Sequence, residues 1–249
     1  LGALAQTDLR RLLNYMVIAG IGTILAGLAV PQVASVMVAQ ADGGAAMAAT
    51  AAAAPAAQTG LAGAIYYALH SIVVMTALYL GAGVAARLNG SSSLAEMGGL
   101  WRRYPLLAAL MLVFLFGVSG LPPFSGFWPK VALVRATILA DLPWLAASIL
   151  VSGFLLTIAS ARVFALAFWR PLPALSAAGS DAEAGQIERE QFQAPGPDKP
   201  LSLIPLVALA AFVVAAGVWA EWLANLTSAA AAGVLDPSAY LQSVFGGAS

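Results

Sequence analysis

The amino-acid sequence predicts an all-α integral membrane protein with about six transmembrane helices, one of them discontinuous. Hydrophobic residues make up 61% of the 249 residues and charged residues only 9%, with a mean hydropathy of +0.89. A soluble domain of this length would carry about 25% charged residues. Because every backbone polar group in the hydrocarbon must be bonded internally, long apolar segments of this kind indicate a helical bundle.

Six apolar segments approach the roughly 20 residues that a helix needs to cross a bilayer. They are residues 12–30, 61–86, 104–120, 122–140, 142–168 and 201–223. Only a tight Gly-Leu-Pro-Pro turn lies between the third and the fourth, which predicts a hairpin. We expect a transmembrane bundle over 1–226, with a flexible Ala/Gly-rich loop at 41–60, a solvated extramembrane loop at 170–200 and a C-terminal interfacial tail over 227–249.

Composition also argues against several classes of function. The net charge is zero, so nothing favours nucleic acid or an acidic partner. The absence of cysteine excludes disulfides and thiolate metal sites, and a single histidine argues against a zinc site. No catalytic triad, phosphate-binding loop or paired carboxylates are visible, so we expect no cofactor and no enzyme active site. The chain opens at Leu1 with an apolar stretch, from which we expect the C-terminal portion of a longer polypeptide.

The strongest candidate site surrounds Lys130, about eight residues into the fourth apolar segment. Eight helical residues rise about 12 Å and half a hydrocarbon core is about 15 Å, so its ammonium is expected near the middle of the membrane. Residues before it break helices, because Pro122, Pro123 and Pro129 lack a backbone donor and Gly126 adds conformational freedom. Burial destabilises the charged form of a lysine, so Lys130 could exchange a proton near neutral pH. The alternative is a lysine that reaches an interface beyond a kink.

His70 is the second candidate, about ten residues into the second apolar segment. Its helical face is flanked by Tyr66, Tyr67 and Val74 at i−4, i−3 and i+4, and Ser71 is adjacent. Histidine titrates nearest to neutral pH and serves as a proton shuttle in transporters. The alternative is a packed core histidine bonded to a neighbouring hydroxyl or carbonyl, and the sequence favours neither.

Four further charged residues are candidates for supporting roles. Asp8 is expected to cap the first complete helix. Arg10 and Arg11 stay charged in any environment, so they can bias a lysine or histidine electrostatically but cannot carry protons. The alternative for Arg11 is a place among lipid headgroups. Arg135, five residues beyond Lys130, could modulate the charge of that lysine.

Several stretches of the chain resemble one membrane-protein family. Residues 6–15 read Gln-Thr-Asp-Leu-Arg-Arg-Leu-Leu-Asn-Tyr, similar to the signature Gln-Thr-Asp-Leu-Lys-Arg-Leu-Leu-Ala-Tyr of the antiporter-like membrane subunits. That family includes the proton-pumping subunits of respiratory complex I and the large subunits of Mrp-type cation/proton antiporters. Residues 66–71, 98–101 and 120–130 fit the same family, and residues 235–246 are similar to the ending of the D subunit of Mrp-type antiporters.

The resemblance implies a fold of fourteen helices built from two inverted five-helix repeats, each with a discontinuous helix, of which this chain would form the second half. Lys130 would be the key residue of the second discontinuous helix, and His70 would be the histidine of the central hydrophilic axis. Arg10 stands where the family commonly has lysine, and Met75 where some relatives have lysine. Both departures remove a titratable group.

The resemblance therefore implies a proton-translocating membrane subunit of a multisubunit Na⁺ or K⁺/H⁺ antiporter in a bacterial inner membrane. It would be a secondary transporter subunit rather than an enzyme, and its partners would be other hydrophobic subunits. One alternative is the homologous proton-pumping subunit of a complex I-like NADH–quinone oxidoreductase or membrane hydrogenase. Another is an assembly scaffold with a degenerate channel.

Overall fold

The computed structural model describes residues 2–40, 44–171 and 203–246. These residues form helices, and an isolated antiparallel bridge joins Asp8 to Ser93. Most of the loop expected over 170–200 lies outside the described residues.

Ten α-helices follow one another along the described residues. They are α1 (Gly2–Ala5), α2 (Leu9–Gln40), α3 (Gly44–Asn89), α4 (Leu100–Arg103), α5 (Pro105–Ser119), α6 (Phe127–Leu139), α7 (Pro143–Phe164), α8 (Ile204–Val218), α9 (Ala220–Leu235) and α10 (Ser238–Phe245). A π-helical turn, Ala165–Trp169, extends α7.

Three of these helical stretches are long and apolar enough to cross a membrane. They are Leu9–Gln40, Ala51–Asn89 and Pro143–Trp169. Taken together, α8 and α9 are also long and apolar enough to cross a membrane, but they are bent by 80° relative to each other. If this bent pair counts as one span, the described residues contain up to four spans. The prediction of an all-helical membrane protein is confirmed, whereas the six crossings stay a prediction.

The predicted segments 104–120 and 122–140 correspond to α5 and α6, which have only 15 and 13 residues. At 1.5 Å per residue each is roughly 20 Å long, shorter than a hydrocarbon core of about 30 Å. The expected hairpin between them is wrong, because α5 packs mainly on α3, α7 and α8, and α6 mainly on α3 and α7. A folded connection, rather than a tight turn, separates the two helices.

The flexible loop expected over 41–60 is also wrong for residues 44–60, which form the first turns of α3. Alanine is the strongest helix former, so the alanine-rich composition extends this helix. Gly60 fixes the segment on α2, since a Cβ at Gly60 would lie 3.1 Å from the Gly27 carbonyl oxygen. Small residues let two membrane helices approach this closely.

The main apolar core lies where α2, α3, α5, α7 and α8 meet, and it includes Leu12, Leu78, Phe114, Val163 and Val213. Toward the C-terminus, α9 runs without interruption through the boundary expected at residue 226. The division into bundle and tail stays a prediction.

Candidate functional site

The helix break predicted before Lys130 is present at residues 120–126, between α5 and α6, and we call these seven residues the break. The residues expected to produce it are Pro122, Pro123, Gly126 and Pro129. Gly120 ends α5 with a φ of 80°, a left-handed conformation that favours glycine. Pro129 lies in the first turn of α6, where its missing N–H costs no helical hydrogen bond.

Lys130 folds back over the break onto the end of α5. Its ammonium donates to the Ser119 carbonyl at 2.6 Å and to the Val118 carbonyl at 3.2 Å. The last four carbonyls of a helix have no partner inside the helix and carry the negative end of its dipole, so they stabilise a cation. Gly120 makes the approach possible, because a Cβ there would lie 2.7 Å from the lysine Nζ.

A cavity of about 500 Å³ between α6 and α7 adjoins Lys130. Its lining is largely apolar, with Val131, Ile138 and Ile149 among the wall residues, and Arg135 also borders it. Lys130 and Arg135 therefore contribute two cationic groups to one cavity.

His70 lies on α3 against the break and is only 3% exposed. Its Nδ1 is 2.8 Å from the Ser125 Oγ, and the tautomer decides which of the two donates. On the other side of the ring, a Cβ at Gly126 would lie 2.7 Å from Nε2, and the Gly117 carbonyl is within hydrogen-bonding reach. Tyr67 packs on the imidazole with ring centroids 5.8 Å apart. Gly126 thus leaves the space that the ring occupies.

The structure brings His70 and Lys130 to the same break. His70 contacts Ser125 of the break, and Lys130 reaches across the break to the Val118 and Ser119 carbonyls. A hydrogen bond to a neighbouring hydroxyl is also what a packed core histidine would make. What sets His70 apart from such a residue is that its partner, Ser125, belongs to the break across which Lys130 reaches the end of α5.

Three residues expected to support the site take different places. The Tyr66 hydroxyl donates to the Ala216 carbonyl of α8 at 3.0 Å rather than facing His70. Ser71 faces α2, since a Cβ at Gly20 would lie 3.5 Å from its Oγ. Arg135 is exposed and also lines a second, more polar cavity of about 680 Å³ between α3, α6 and α9.

Asp8 caps α2, as predicted. One carboxylate oxygen accepts the backbone N–H of Arg11 at 3.0 Å, and the other accepts the Ser92 hydroxyl at 2.6 Å. The hydrogen bond from Ser92 is the main reason that the pKa of Asp8 lies below its ordinary value of 3.8.

Arg10 and Arg11 are exposed at the start of α2. Gly20 is the α2 residue that faces Tyr67 and Ser71 of α3. Because Arg10 precedes Gly20 by ten residues, it lies about 15 Å further along the helix. The structure therefore does not place Arg10 beside His70 or Lys130.

Sequence reasoning missed Ser125, the carbonyls that hold Lys130, and the packing role of Gly120. A serine within a Pro/Gly-rich break was the available signal for Ser125. The carbonyl contacts had no such signal, because backbone oxygens are the same at every position. Among residues 2–40, 44–171 and 203–246, no three His, Asp or Glu side chains cluster closely enough to hold a metal ion.

Comparison with known proteins gives several matches. The family described as NADH:quinone oxidoreductase/Mrp antiporter, TM, matches residues 43–157. Two curated relatives, each named as the D subunit of a Na(+)/H(+) antiporter, come from Alkalihalophilus pseudofirmus and Bacillus subtilis and are 31% and 27% identical over 244 residues. Each alignment covers 98% of this chain but 41% of the relative, so the chain spans about two fifths of their length.

Two solved structures have a similar fold. A chain in the structure of the Mrp complex from Dietzia sp. DQ12-45-1b matches with a TM-score of 0.73 and 26% identity, over 98% of this chain and 46% of that chain. A chain of the membrane-bound sulfane sulfur reductase, an archaeal respiratory membrane complex, matches with a TM-score of 0.56 at 17% identity, over 91% of this chain and 43% of that chain. The second likeness shows a shared fold alone. Together, the family match, the two antiporter relatives and the Mrp structure show that this chain is similar to proteins of the NADH:quinone oxidoreductase/Mrp antiporter family.

Proposed function

We propose that this chain is the proton-translocating part of a membrane subunit in a multisubunit Na⁺ or K⁺/H⁺ antiporter. One observation carries the proposal: Lys130 is held by backbone carbonyls at a helix break inside an apolar bundle, and His70 contacts Ser125 of the same break. An intramembrane cation beside a broken helix is typical of ion and proton pathways. The names of the two antiporter relatives support the cation/proton exchange.

In this proposal Lys130 alternates between a protonated form, bound to the Val118 and Ser119 carbonyls, and a neutral form. A carbonyl stabilises the ammonium but does not take its proton, so the proton leaves through the adjoining cavity or across the break. The Ser125 hydroxyl can both donate and accept, which suits it to link the break to the imidazole of His70. Arg135 supplies a fixed positive charge at the cavity between α6 and α7. Arg10 supplies a fixed positive charge at the start of α2.

The finer architecture belongs to the same proposal. We infer that the chain is the second inverted-repeat half of the subunit, with about six membrane crossings and with α5, the break and α6 as its discontinuous segment. The alignment of nearly all of this chain to about two fifths of each relative supports this arrangement. We also propose a bacterial inner membrane as its location and other hydrophobic antiporter subunits as its partners, which the Mrp complex match supports.

A second candidate is a proton-pumping subunit of a redox-driven membrane complex. The fold shared with the sulfane sulfur reductase chain favours it, at 17% identity. The higher identities to the two antiporter relatives and to the Mrp chain favour the antiporter. A scaffold with a degenerate channel is the third candidate, and it requires that Lys130 and His70 can be replaced without loss of transport.

The proposal is tested by replacing Lys130 with alanine in the assembled antiporter. Membrane vesicles carrying Lys130→Ala should lose Na⁺- or K⁺-driven proton flux while containing normal amounts of the complex. Lys199→Ala, which replaces the other lysine of the chain, is the matched control and should retain flux. Cation-driven proton flux that persists in Lys130→Ala would refute the proposal and would favour the third candidate, a scaffold with a degenerate channel.

A further inference from the structure

Hydrogen-bond donors from three parts of the bundle converge on residues 213–217, which we call the α8 end. The three bonds run from the Ser125 N–H to the Val213 carbonyl (3.2 Å), from the Tyr66 hydroxyl to the Ala216 carbonyl (3.0 Å) and from the Trp128 indole N–H to the Gly217 carbonyl (2.8 Å). Ala216 and Gly217 lie in the last turn of a helix, where carbonyls lack helical partners. The donors come from the break, from α3 and from α6.

The backbone of the α8 end also touches the break directly. A Cβ at Gly217 would lie 1.9 Å from the Pro123 carbonyl oxygen and 2.6 Å from the Phe124 carbonyl carbon. Such distances leave no room for any side chain, so a glycine is required at this contact. The break therefore rests on α8 through both backbone packing and hydrogen bonds.

Two of the residues that donate to the α8 end also shape the surroundings of His70 and Lys130. Ser125 donates its N–H to α8 and places its hydroxyl against His70. Trp128 lies in the first turn of α6, two residues before Lys130. A shift of α6 relative to α8 would therefore move Lys130 relative to the α5 carbonyls that hold it.

The α8 end stops where the helix bends. Immediately after Val218 the chain turns by 80° into α9 at Trp219. Tyr66, Trp128 and Val218 all line the polar cavity of about 680 Å³ between α3, α6 and α9. Two of the three donors, Tyr66 and Trp128, thus border this cavity.

We propose that Trp128 is a positioning residue that anchors the break on the bent α8–α9 pair and so sets the geometry of His70 and Lys130. The inference rests on the proposed function, because its consequence is a change in proton exchange. Without the indole N–H, the first turn of α6 is less firmly held, and the geometry that exchanges protons forms less often. Maximal exchange should fall and its pH profile should shift, while the cation concentration at half-maximal rate stays the same.

The test is Trp128→Phe in the assembled antiporter, which removes the N–H and keeps an aromatic ring. We expect the maximal rate to fall about threefold to tenfold, the range that the loss of one hydrogen bond supports. The matched control is Trp144→Phe at the start of α7, where the indole is 86% exposed, and it should behave as wild type. Tyr66→Phe, which removes the neighbouring hydroxyl, should change the rate and the pH profile in the same direction.

Two results would overturn the inference. One is an unchanged rate and pH profile in Trp128→Phe. The other is a loss of exchange that matches a loss of complex from the membrane, with the pH profile unchanged, because this would mean a role in assembly alone. Lys130→Ala measured in parallel separates the two proposals: if it abolishes exchange while Trp128→Phe does nothing, only the positioning role fails.

Discussion

At the residue scale, the charge of Lys130 is bound by oxygen atoms that α5 leaves unpaired at its end. The Val118 and Ser119 carbonyls offer a fixed, uncharged binding site for the ammonium. A carboxylate at the same place would hold the proton more firmly, since opposite charges favour the ionised forms of both groups. Backbone carbonyls therefore suit a lysine that must bind and release a proton in turn.

Ser125→Ala tests the hydroxyl that joins the break to His70. Because it leaves a buried ring nitrogen without its partner, we expect a loss of about 1–3 kcal/mol in the free energy of unfolding, together with lower exchange activity. Thermal unfolding of the purified protein and vesicle transport measure the two effects. Ser148→Ala is the control, because that exposed hydroxyl bonds the Trp144 carbonyl of its own helix. Equal behaviour of the two variants would contradict the role given to Ser125.

Asp8→Ala tests the cap of α2. Loss of an N-cap side chain costs about 0.5–2 kcal/mol at neutral pH. The folded-state pKa of Asp8 is lowered, so its contribution is present above the ordinary value of 3.8 and is lost as the pH falls through the lower folded value. Thermal unfolding should therefore distinguish Asp8→Ala from wild type at pH 7 and not at a pH below that folded value. A difference that grows on acidification would contradict this assignment.

The residue scale also shows what sequence could and could not provide. Apolar surroundings and nearby prolines were enough to single out Lys130, and its depth in the second segment was enough for His70. The contact between His70 and Ser125 joins positions 55 residues apart and depends on how α3 packs on the break. Arg10 was expected to act on both residues through its fixed charge, but it lies about 15 Å along α2 from Gly20, the residue that faces Tyr67 and Ser71.

At the scale of elements, the break is a rigid connection between two short helices. Its backbone N–H groups bond within the break, to α5 or to α8, as those of Leu121, Phe124 and Ser125 do. The helix-breaking residues predicted the position of the break. They could not predict its packing, because the hairpin and the broken segment have the same local sequence and differ only in their contacts with α3, α7 and α8.

Gly120→Ala tests whether the end of α5 is shaped for Lys130. The left-handed conformation costs a non-glycine residue about 1–2 kcal/mol, and the added Cβ would lie 2.7 Å from the lysine Nζ. We expect lower stability and a large loss of exchange. Gly90→Ala is a close control, because Gly90 also has a positive φ of 75° but nothing lies within 4 Å of an added Cβ. Gly90→Ala should lose a similar free energy of unfolding but keep cation/proton exchange. Equal exchange in the two variants would contradict the role given to Gly120.

Two other elements show the limits of local sequence. Alanine and glycine between positions 44 and 60 suggested a loop, yet helix propensity and the Gly27–Gly60 contact make this stretch part of α3. The 80° bend between α8 and α9 had no proline to mark it. The α8 end before this bend is held by donors from three other parts of the chain, which are contacts that local sequence does not encode.

At the scale of the whole molecule, several polar contacts of the bundle meet around the break. The α8 end and the middle of α3 contact the break, and the cavity between α6 and α7 borders it at Gly120. Most of the surrounding helix surface is apolar, as a membrane requires. This arrangement would let a proton site sit inside the bundle while the long helices α2, α3 and α7 supply the frame.

The central claim is that Lys130 works by releasing its proton, and Lys130→Arg tests it most directly. Arginine keeps a positive charge and can donate to the same carbonyls, but it does not lose its proton in a protein. The measurement is Na⁺- or K⁺-driven proton flux in vesicles that contain the assembled antiporter, with Lys199→Arg as the control. The account predicts normal assembly and no flux for Lys130→Arg, and wild-type flux for the control. Cation-driven proton flux at the wild-type rate in Lys130→Arg would contradict it.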